Sequence, residues 1–96
     1  MKIEKIDHIG IGVKDLSSAL KLYTDVLKLE VKKIEEFEDL NLRVAFIPVG
    51  EVLVELVQPT SDEPPLAKRI REQGEGLYHV AYRVENIDEA LEEIKL

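Results

Sequence analysis

The sequence contains no cysteine and no tryptophan, and it has one methionine and only two histidines. Without cysteine, the chain can form neither a disulfide framework nor a thiolate metal site. No apolar run approaches the length of about 20 residues that spans a bilayer, and the N-terminus has no signal-peptide pattern. We therefore expect a cytoplasmic protein with no membrane partner.

The chain is also poor in positive charge. Thirteen lysines and arginines stand against 20 aspartates and glutamates, which gives a net charge of −7. Binding to nucleic-acid phosphates needs a basic surface, so a nucleic-acid partner is not expected. A small anionic ligand held by a local cluster of cations remains open. The 96 residues, 45% of them hydrophobic, are enough for one small domain with a single core.

The apolar pattern predicts a β-α-β-β-β unit in the first part of the chain. The segment from Ile3 to Val13 alternates from Ile9 onward and predicts a strand, and Asp15 is the predicted N-cap of an amphipathic helix that reaches Leu27. Three further strands are predicted over 29–37, over 42–47 (ended by Pro48) and over 52–57, the last two joined by a tight turn at 49–51.

The second part begins with a polar, proline-bearing linker, after which a short helix over 66–73 ends at Gly74. A strand over 77–84 and a closing helix capped by Asn86 follow. We expect a single domain, 1–96, made of a first module (1–60), a linker with a short helix (61–76) and the start of a second module (77–96). The predicted fold class is α+β, with a mixed sheet that curls into a partial cup.

An internal repeat is the main clue to function. When residues 8–20 are placed over residues 79–91, the two histidines coincide, as do Val13 with Val84 and Ala19 with Ala90. Self-similarity of this length indicates two copies of one supersecondary unit. The second copy stops inside its helix, so three strands of the first copy have no counterpart.

The two histidines and one glutamate are the candidate metal ligands. If the two units pack about a pseudo-twofold axis, His8 and His79 meet at the centre, and imidazole is a common ligand of divalent transition metals. Glu55 interrupts an otherwise apolar strand, and a buried carboxylate must be neutralised or bound to a cation. The alternatives are two unrelated histidines exposed to solvent, and an edge strand on which Glu55 faces water. The repeat further predicts a fourth ligand, equivalent to Glu55, about thirty residues beyond Leu96.

Other residues lie near the two histidines in sequence. Gly10 and Gly12 share a strand face with His8 and leave room for a ligand to approach the metal, unless they mark a bulge or close packing. Arg83 shares the face of His79 and either meets an anionic group or is solvated. The sequence has no phosphate-binding glycine loop and no nucleophile motif with serine or cysteine.

Four segments resemble the methylmalonyl-CoA epimerases of the vicinal-oxygen-chelate superfamily, which also includes glyoxalase I and extradiol dioxygenases. They are Ile6 to Leu16, Val44 to Gly50, Val54 to Pro59 and Gly74 to Ala81. The resemblance extends over essentially the whole chain, and the linker around Ser61 to Pro64 and Leu66 to Lys68 is more particular to the epimerases.

The resemblance implies a cup-shaped sheet around one divalent metal ion, such as cobalt, zinc or manganese. His8, Glu55 and His79 then match three of the four protein ligands, and Glu55 is also the candidate catalytic residue. Many relatives have two adjacent histidines where this chain has Tyr78-His79, and the second of the pair is the ligand. The implied partners are an acyl-CoA substrate and a second copy of the chain, either in a homodimer or in a self-association that completes the sheet.

The implied reaction is the interconversion of (R)- and (S)-methylmalonyl-CoA by removal and return of the C2 proton, with a metal-stabilised enolate. Because the second module is incomplete, we expect the isolated chain to bind metal weakly and to show little activity. The alternatives are another enzyme of the superfamily, of the glyoxalase or dioxygenase type, and a non-catalytic binding module or truncated fragment.

Overall fold

The computed structural model of the protein describes residues 1–95. Leu96, the last residue of the predicted second module, lies outside the described residues. Five strands and three α-helices follow one another in the order β1 (Ile3–Gly12), α1 (Leu16–Lys21), β2 (Lys33–Phe37), β3 (Leu42–Val49), β4 (Val52–Pro59), α2 (Pro65–Gln73), β5 (Gly76–Val84) and α3 (Ile87–Ile94). None of the helices within residues 1–95 is long and apolar enough to cross a membrane.

The five strands form one open sheet in the order β2-β3-β4-β1-β5. Strands β1 and β4 pair in parallel, and the other three pairs are antiparallel. This arrangement confirms the predicted α+β class with a mixed sheet. It also places β1 and β5, the equivalent strands of the two repeat units, side by side and antiparallel, as a twofold relation between the units requires.

Both faces of the sheet are covered at its centre. On one face, α1 packs over the strands and buries a cluster formed by Val13, Leu16, Ala45, Ile47 and Leu56. On the opposite face, which we call the α2 face, Leu66 and Ile70 of α2 pack against Val44 and Val57. Because successive residues of β3 and β4 serve opposite faces, both strands are nearly continuous apolar runs.

The predicted caps and the hairpin turn are present. Asp15 accepts a hydrogen bond from the Ser17 backbone N–H, and Asn86 accepts one from the Glu89 N–H. Strands β3 and β4 are joined by Gly50 and Glu51, and Gly50 has a φ of 59°, in the left-handed region that glycine adopts without strain.

Four predicted boundaries were wrong. Strand β4 continues to Pro59 rather than ending at residue 57. Pro48 does not end β3, which continues to Val49, because β2 no longer pairs beyond Phe46 and the missing N–H therefore breaks no ladder bond. Strand β2 begins at Lys33 rather than at residue 29. The first helix is α-helical only to Lys21, and Leu22–Val26 form a π-helical turn.

Candidate metal centre

The candidate site lies where three neighbouring strands bring their side chains to the α2 face. Gly10 of β1 pairs with Glu55 of β4 on one side and with His79 of β5 on the other. His8 precedes Gly10 by two residues and therefore shares its face. The three predicted ligands thus come from three adjacent strands, although 71 residues separate the two histidines in the sequence.

The imidazole rings of His8 and His79 meet edge to face. Their Nε2 atoms are 3.1 Å apart, and the ring centroids are separated by 5.1 Å at an interplanar angle of 90°. Two nitrogen ligands bound about 2.0–2.1 Å from one metal ion, at an angle of about 90–110°, lie roughly 2.8–3.4 Å apart. The pair therefore has the spacing of two ligands of a single divalent ion, and without metal one Nε2–H donates to the other nitrogen.

Glu55 is close to this pair but faces a different nitrogen. Its Oε2 lies 3.7 Å from Nδ1 of His8, and its side chain is only 18% exposed. Because β4 lies between β1 and β3, the alternative of an edge strand with Glu55 turned to water is wrong. Within residues 1–95, however, no three side chains of the His, Cys, Asp or Glu type are arranged ready to hold a metal ion. Imidazole and carboxylate are both donor types that bind divalent metals. The two histidines already have the spacing of ligands to one ion, whereas Glu55 does not complete a group of three.

The two glycines of β1 serve close packing rather than access for a ligand. A Cβ atom on Gly10 would lie 2.5 Å from Cε1 of His79, 2.8 Å from its Nδ1 and 2.9 Å from its Nε2. A Cβ on Gly12 would lie 2.7 Å from Cδ1 of Leu66. Gly10 therefore makes room for the second imidazole, and Gly12 makes room for α2.

Asp7 and Arg83 complete the polar contacts around His8. Asp7 Oδ2 lies 3.0 Å from His8 Nδ1, and the guanidinium of Arg83 donates from Nη2 to Asp7 Oδ1 over 3.0 Å. The hydrogen bond to His8, followed by that to Arg83, lowers the pKa of Asp7 below its ordinary value of 3.8. Arg83 thus meets an anionic group that belongs to the chain itself, and its side chain is also 56% exposed to solvent.

An apolar cavity of about 270 Å³ opens beside Glu55 and His79. Its walls come from the sheet, from the start of α2 and from the loop after β2, and include Phe37, Leu40, Leu42, Val44, Val57, Pro64, Pro65, Leu66 and Tyr78. The Tyr78 ring lies 5.5 Å from the His79 ring, and the guanidinium of Arg69 lies 5.6 Å from the Tyr78 ring centroid. A pocket with mostly apolar walls and a few polar groups is typical of a small-molecule site.

Asp7 is the residue of this site that strand alternation does not predict. Alternation places Asp7 and His8 on opposite faces, whereas the structure brings their side chains into contact. The only available signal was its position directly before the first histidine, at the place that Tyr78 occupies in the second repeat.

Comparison with known proteins places this geometry in context. A sequence profile of the Glyoxalase/Bleomycin resistance protein/Dioxygenase superfamily matches residues 7–95. The uncharacterized protein YqjC of Bacillus subtilis is 32% identical over 90 residues, which are 94% of this chain and 64% of YqjC. An ethylmalonyl-CoA/methylmalonyl-CoA epimerase of Cereibacter sphaeroides is 30% identical over 94 residues, which are 97% of this chain and 70% of that protein.

Among solved structures, a single-site variant of Streptomyces coelicolor methylmalonyl-CoA epimerase, in complex with 2-nitronate-propionyl-CoA, superposes with a TM-score of 0.87. Its sequence identity is 27%, and the alignment covers 98% of this chain and 69% of that one. The chain thus spans just under two thirds of YqjC and somewhat more than two thirds of these two epimerases.

Proposed function

Because this chain belongs to the Glyoxalase/Bleomycin resistance protein/Dioxygenase superfamily, we propose that it forms the metal site of an epimerase that interconverts (R)- and (S)-methylmalonyl-CoA. The observation that carries the proposal is the 3.1 Å separation of the His8 and His79 Nε2 atoms, with Glu55 beside them. The names of the relatives support the substrate class, since one is an ethylmalonyl-CoA/methylmalonyl-CoA epimerase and another was solved with 2-nitronate-propionyl-CoA.

The proposed ligands are His8, His79 and Glu55, and the proposed ion is divalent cobalt, zinc or manganese, since imidazole and carboxylate suit all three. When bound, such an ion supplies Lewis acidity, which stabilises the negative charge that develops on the substrate as the C2 proton leaves. The two imidazoles come from adjacent antiparallel strands, so the sheet itself sets their spacing.

The apolar cavity is the proposed place for the branched acyl end of the substrate. Its walls are almost entirely hydrocarbon, and Glu55 and His79 both line it. Exclusion of water there would strengthen the polar interactions made with the reacting group. Glu55 is proposed as the residue of this chain that moves the C2 proton. A second acid–base group must act on the opposite face of C2, because epimerisation returns the proton from the other side.

Exchange of the C2 proton with solvent deuterium tests the proposal. The protein is incubated with methylmalonyl-CoA and one equivalent of Co²⁺ in D₂O, and the mass of the substrate is followed. We expect exchange that disappears after chelation and falls by about 100-fold or more in His8→Ala and His79→Ala. A slow rate of exchange is sufficient for this test, because the chelated sample gives the background rate with which it is compared. Tyr82→Ala is the matched control, since it removes a half-exposed ring from the same strand as His79.

Two competing activities are measured on the same preparation. Isomerisation of a glutathione hemithioacetal, or cleavage of a catechol, without exchange at C2 of methylmalonyl-CoA would replace the epimerase by another enzyme of the superfamily. Metal binding without turnover of any of the three substrates would favour a binding module. Assembly as a homodimer stays a prediction from the resemblance, and a cytoplasmic location stays a prediction from the composition. Analytical ultracentrifugation and cell fractionation would check them.

A further inference from the structure

A bulge in β1 turns Asp7 toward His8. In the pairing of β1 with β5, Ile6 lies opposite Tyr82 and His8 lies opposite Ala81, so Asp7 is an extra residue with no partner in β5. An extra residue of this kind leaves the regular ladder, and its side chain is redirected. The Asp7 carboxylate consequently lies 3.0 Å from His8 Nδ1. In a regular strand, the side chains of Asp7 and His8 would point to opposite faces of the sheet.

Each oxygen of Asp7 has a different partner. Oδ2 faces His8 Nδ1, and Oδ1 accepts from Arg83 Nη2 over 3.0 Å. Arg83 lies on β5, on the same strand as His79, so the contact joins the two strands that carry the histidines. The guanidinium therefore holds the carboxylate in place while the other oxygen remains directed at the imidazole.

This contact determines which nitrogen of His8 carries the proton. A carboxylate only accepts hydrogen bonds, so Asp7 favours the His8 tautomer with a proton on Nδ1 and a free electron pair on Nε2. Glu55, the other carboxylate near Nδ1, is 3.7 Å away, beyond hydrogen-bonding distance. The free Nε2 faces His79.

We propose that Asp7 is a positioning residue, which orients His8 and holds its Nε2 as an electron-pair donor toward the ion bound between the two histidines. The proposal rests on the metal-binding role of His8 in the proposed function. Carboxylates that accept from the distal nitrogen of a ligating histidine commonly raise metal affinity in this way.

The second repeat has the same bulge without the carboxylate. Tyr78 is an extra residue of β5, because His79 lies opposite Gly10 and Leu77 lies opposite Ile11. Tyr78 thus takes the place of Asp7, but its ring contacts His79 edge to face and accepts no proton from Nδ1. Asp7 therefore fixes only His8, and in the metal-free site His79 is the imidazole that donates its Nε2–H to His8.

Long-range ¹H–¹⁵N correlation spectra of the metal-free protein report the tautomer of each histidine directly. The wild type is compared with Asp7→Ala and Asp7→Asn, and with Glu36→Ala as the matched control. Glu36→Ala also removes a carboxylate that accepts from an arginine on the adjacent strand, Arg43, at 2.6 Å, but that pair lies away from the histidines. We expect the Nδ1–H tautomer of His8 in the wild type and in Glu36→Ala, and its loss in Asp7→Ala. It should also be lost in Asp7→Asn, because the single amide oxygen accepts from Arg83 and the amide NH₂ group then faces Nδ1.

Titration with Zn²⁺ on the same four proteins gives the functional consequence. Both Asp7 variants should bind Zn²⁺ about 10–100-fold more weakly, and Glu36→Ala should match the wild type. Circular dichroism checks that each variant is folded, and Asp7→Asn preserves the side-chain shape if Asp7→Ala does not fold.

An Nε2–H tautomer of His8 in the wild type, or Asp7 variants that keep both tautomer and affinity, would overturn the role of Asp7. Failure of the epimerase proposal has a different signature, in which methylmalonyl-CoA shows no deuterium exchange while the tautomer and the Zn²⁺ affinity still depend on Asp7.

Discussion

Substitution of Gly10 by alanine adds a Cβ atom beside the His79 ring and should displace that ring relative to His8. The added Cβ would lie 2.5 Å from Cε1 of His79, whereas ordinary van der Waals contact begins at 3.4 Å. The ring must therefore retreat by about 0.9 Å, and it shares the site with a partner nitrogen only 3.1 Å away. Misplacement of about 1 Å costs on the order of 100-fold in the rate of a reaction between positioned groups, and we expect Zn²⁺ affinity to fall by a similar factor.

The stability of Gly10→Ala should change little, because the His79 ring is exposed and can swing toward solvent. Gly12→Ala is the matched control with the opposite signature. Its Cβ would press on Leu66, which is 3% exposed in the core under α2, so we expect a loss of about 1 kcal/mol in the free energy of unfolding. Zn²⁺ affinity should stay at the wild-type value in that variant.

Isothermal titration calorimetry with Zn²⁺ and urea unfolding followed by circular dichroism measure the two quantities on all three proteins. The reasoning is refuted if Gly10→Ala binds Zn²⁺ as the wild type does, or if Gly12→Ala shows the larger loss of affinity. Either result would mean that the room beside Gly10 does not determine where the His79 imidazole lies.

Three further predictions concern Glu55, Asp7 and the core. Glu55→Gln should slow C2 deuterium exchange of methylmalonyl-CoA by about 100-fold or more, and an unchanged rate would remove Glu55 from the chemistry. Because the pKa of Asp7 is lowered in the folded protein, its contribution to stability is fully present above pH 3.8 and is lost as the pH falls through the lower, folded value. Carbon-13 NMR titration of the Asp7 carboxyl should therefore give a pKa below 3.8 that rises in Arg83→Ala, and a value at or above 3.8 in the wild type would contradict the observed contacts. Leu56→Ala, at a side chain with no exposed surface, should lower the free energy of unfolding by about 2–5 kcal/mol. Leu91→Ala, at a side chain that is 52% exposed, should change it by about 0.5 kcal/mol or less. Equal losses in urea unfolding would contradict the assigned core.

The order of strands and helices was predictable because each element has a local pattern. Alternation marks β1, the caps Asp15 and Asn86 mark the starts of two helices, and Gly50 marks the hairpin. The failure at Pro48 has a non-local cause, since a proline is tolerated there only because β2 stops pairing at Phe46. The sequence around Pro48 does not show where the neighbouring strand β2 stops pairing.

The convergence of His8 and His79 was predictable from the repeat, because duplicated units related by a twofold axis place equivalent strands side by side. The contact between Asp7 and His8 was not, since it depends on a bulge that appears only when β1 is paired with β5. The purpose of Gly10 was missed for the same reason. Its neighbour across the sheet, rather than its neighbours in sequence, requires the absence of a side chain.

X-ray absorption spectroscopy of the protein loaded with one equivalent of Co²⁺ tests the central claim most directly, because it counts imidazole ligands at the metal. We expect two imidazole nitrogens at about 2.0–2.1 Å, and a reduction to one in each of the His8→Ala and His79→Ala variants. A first coordination shell without imidazole, or one that is the same in the wild type and both variants, would contradict a metal site shared by His8 and His79.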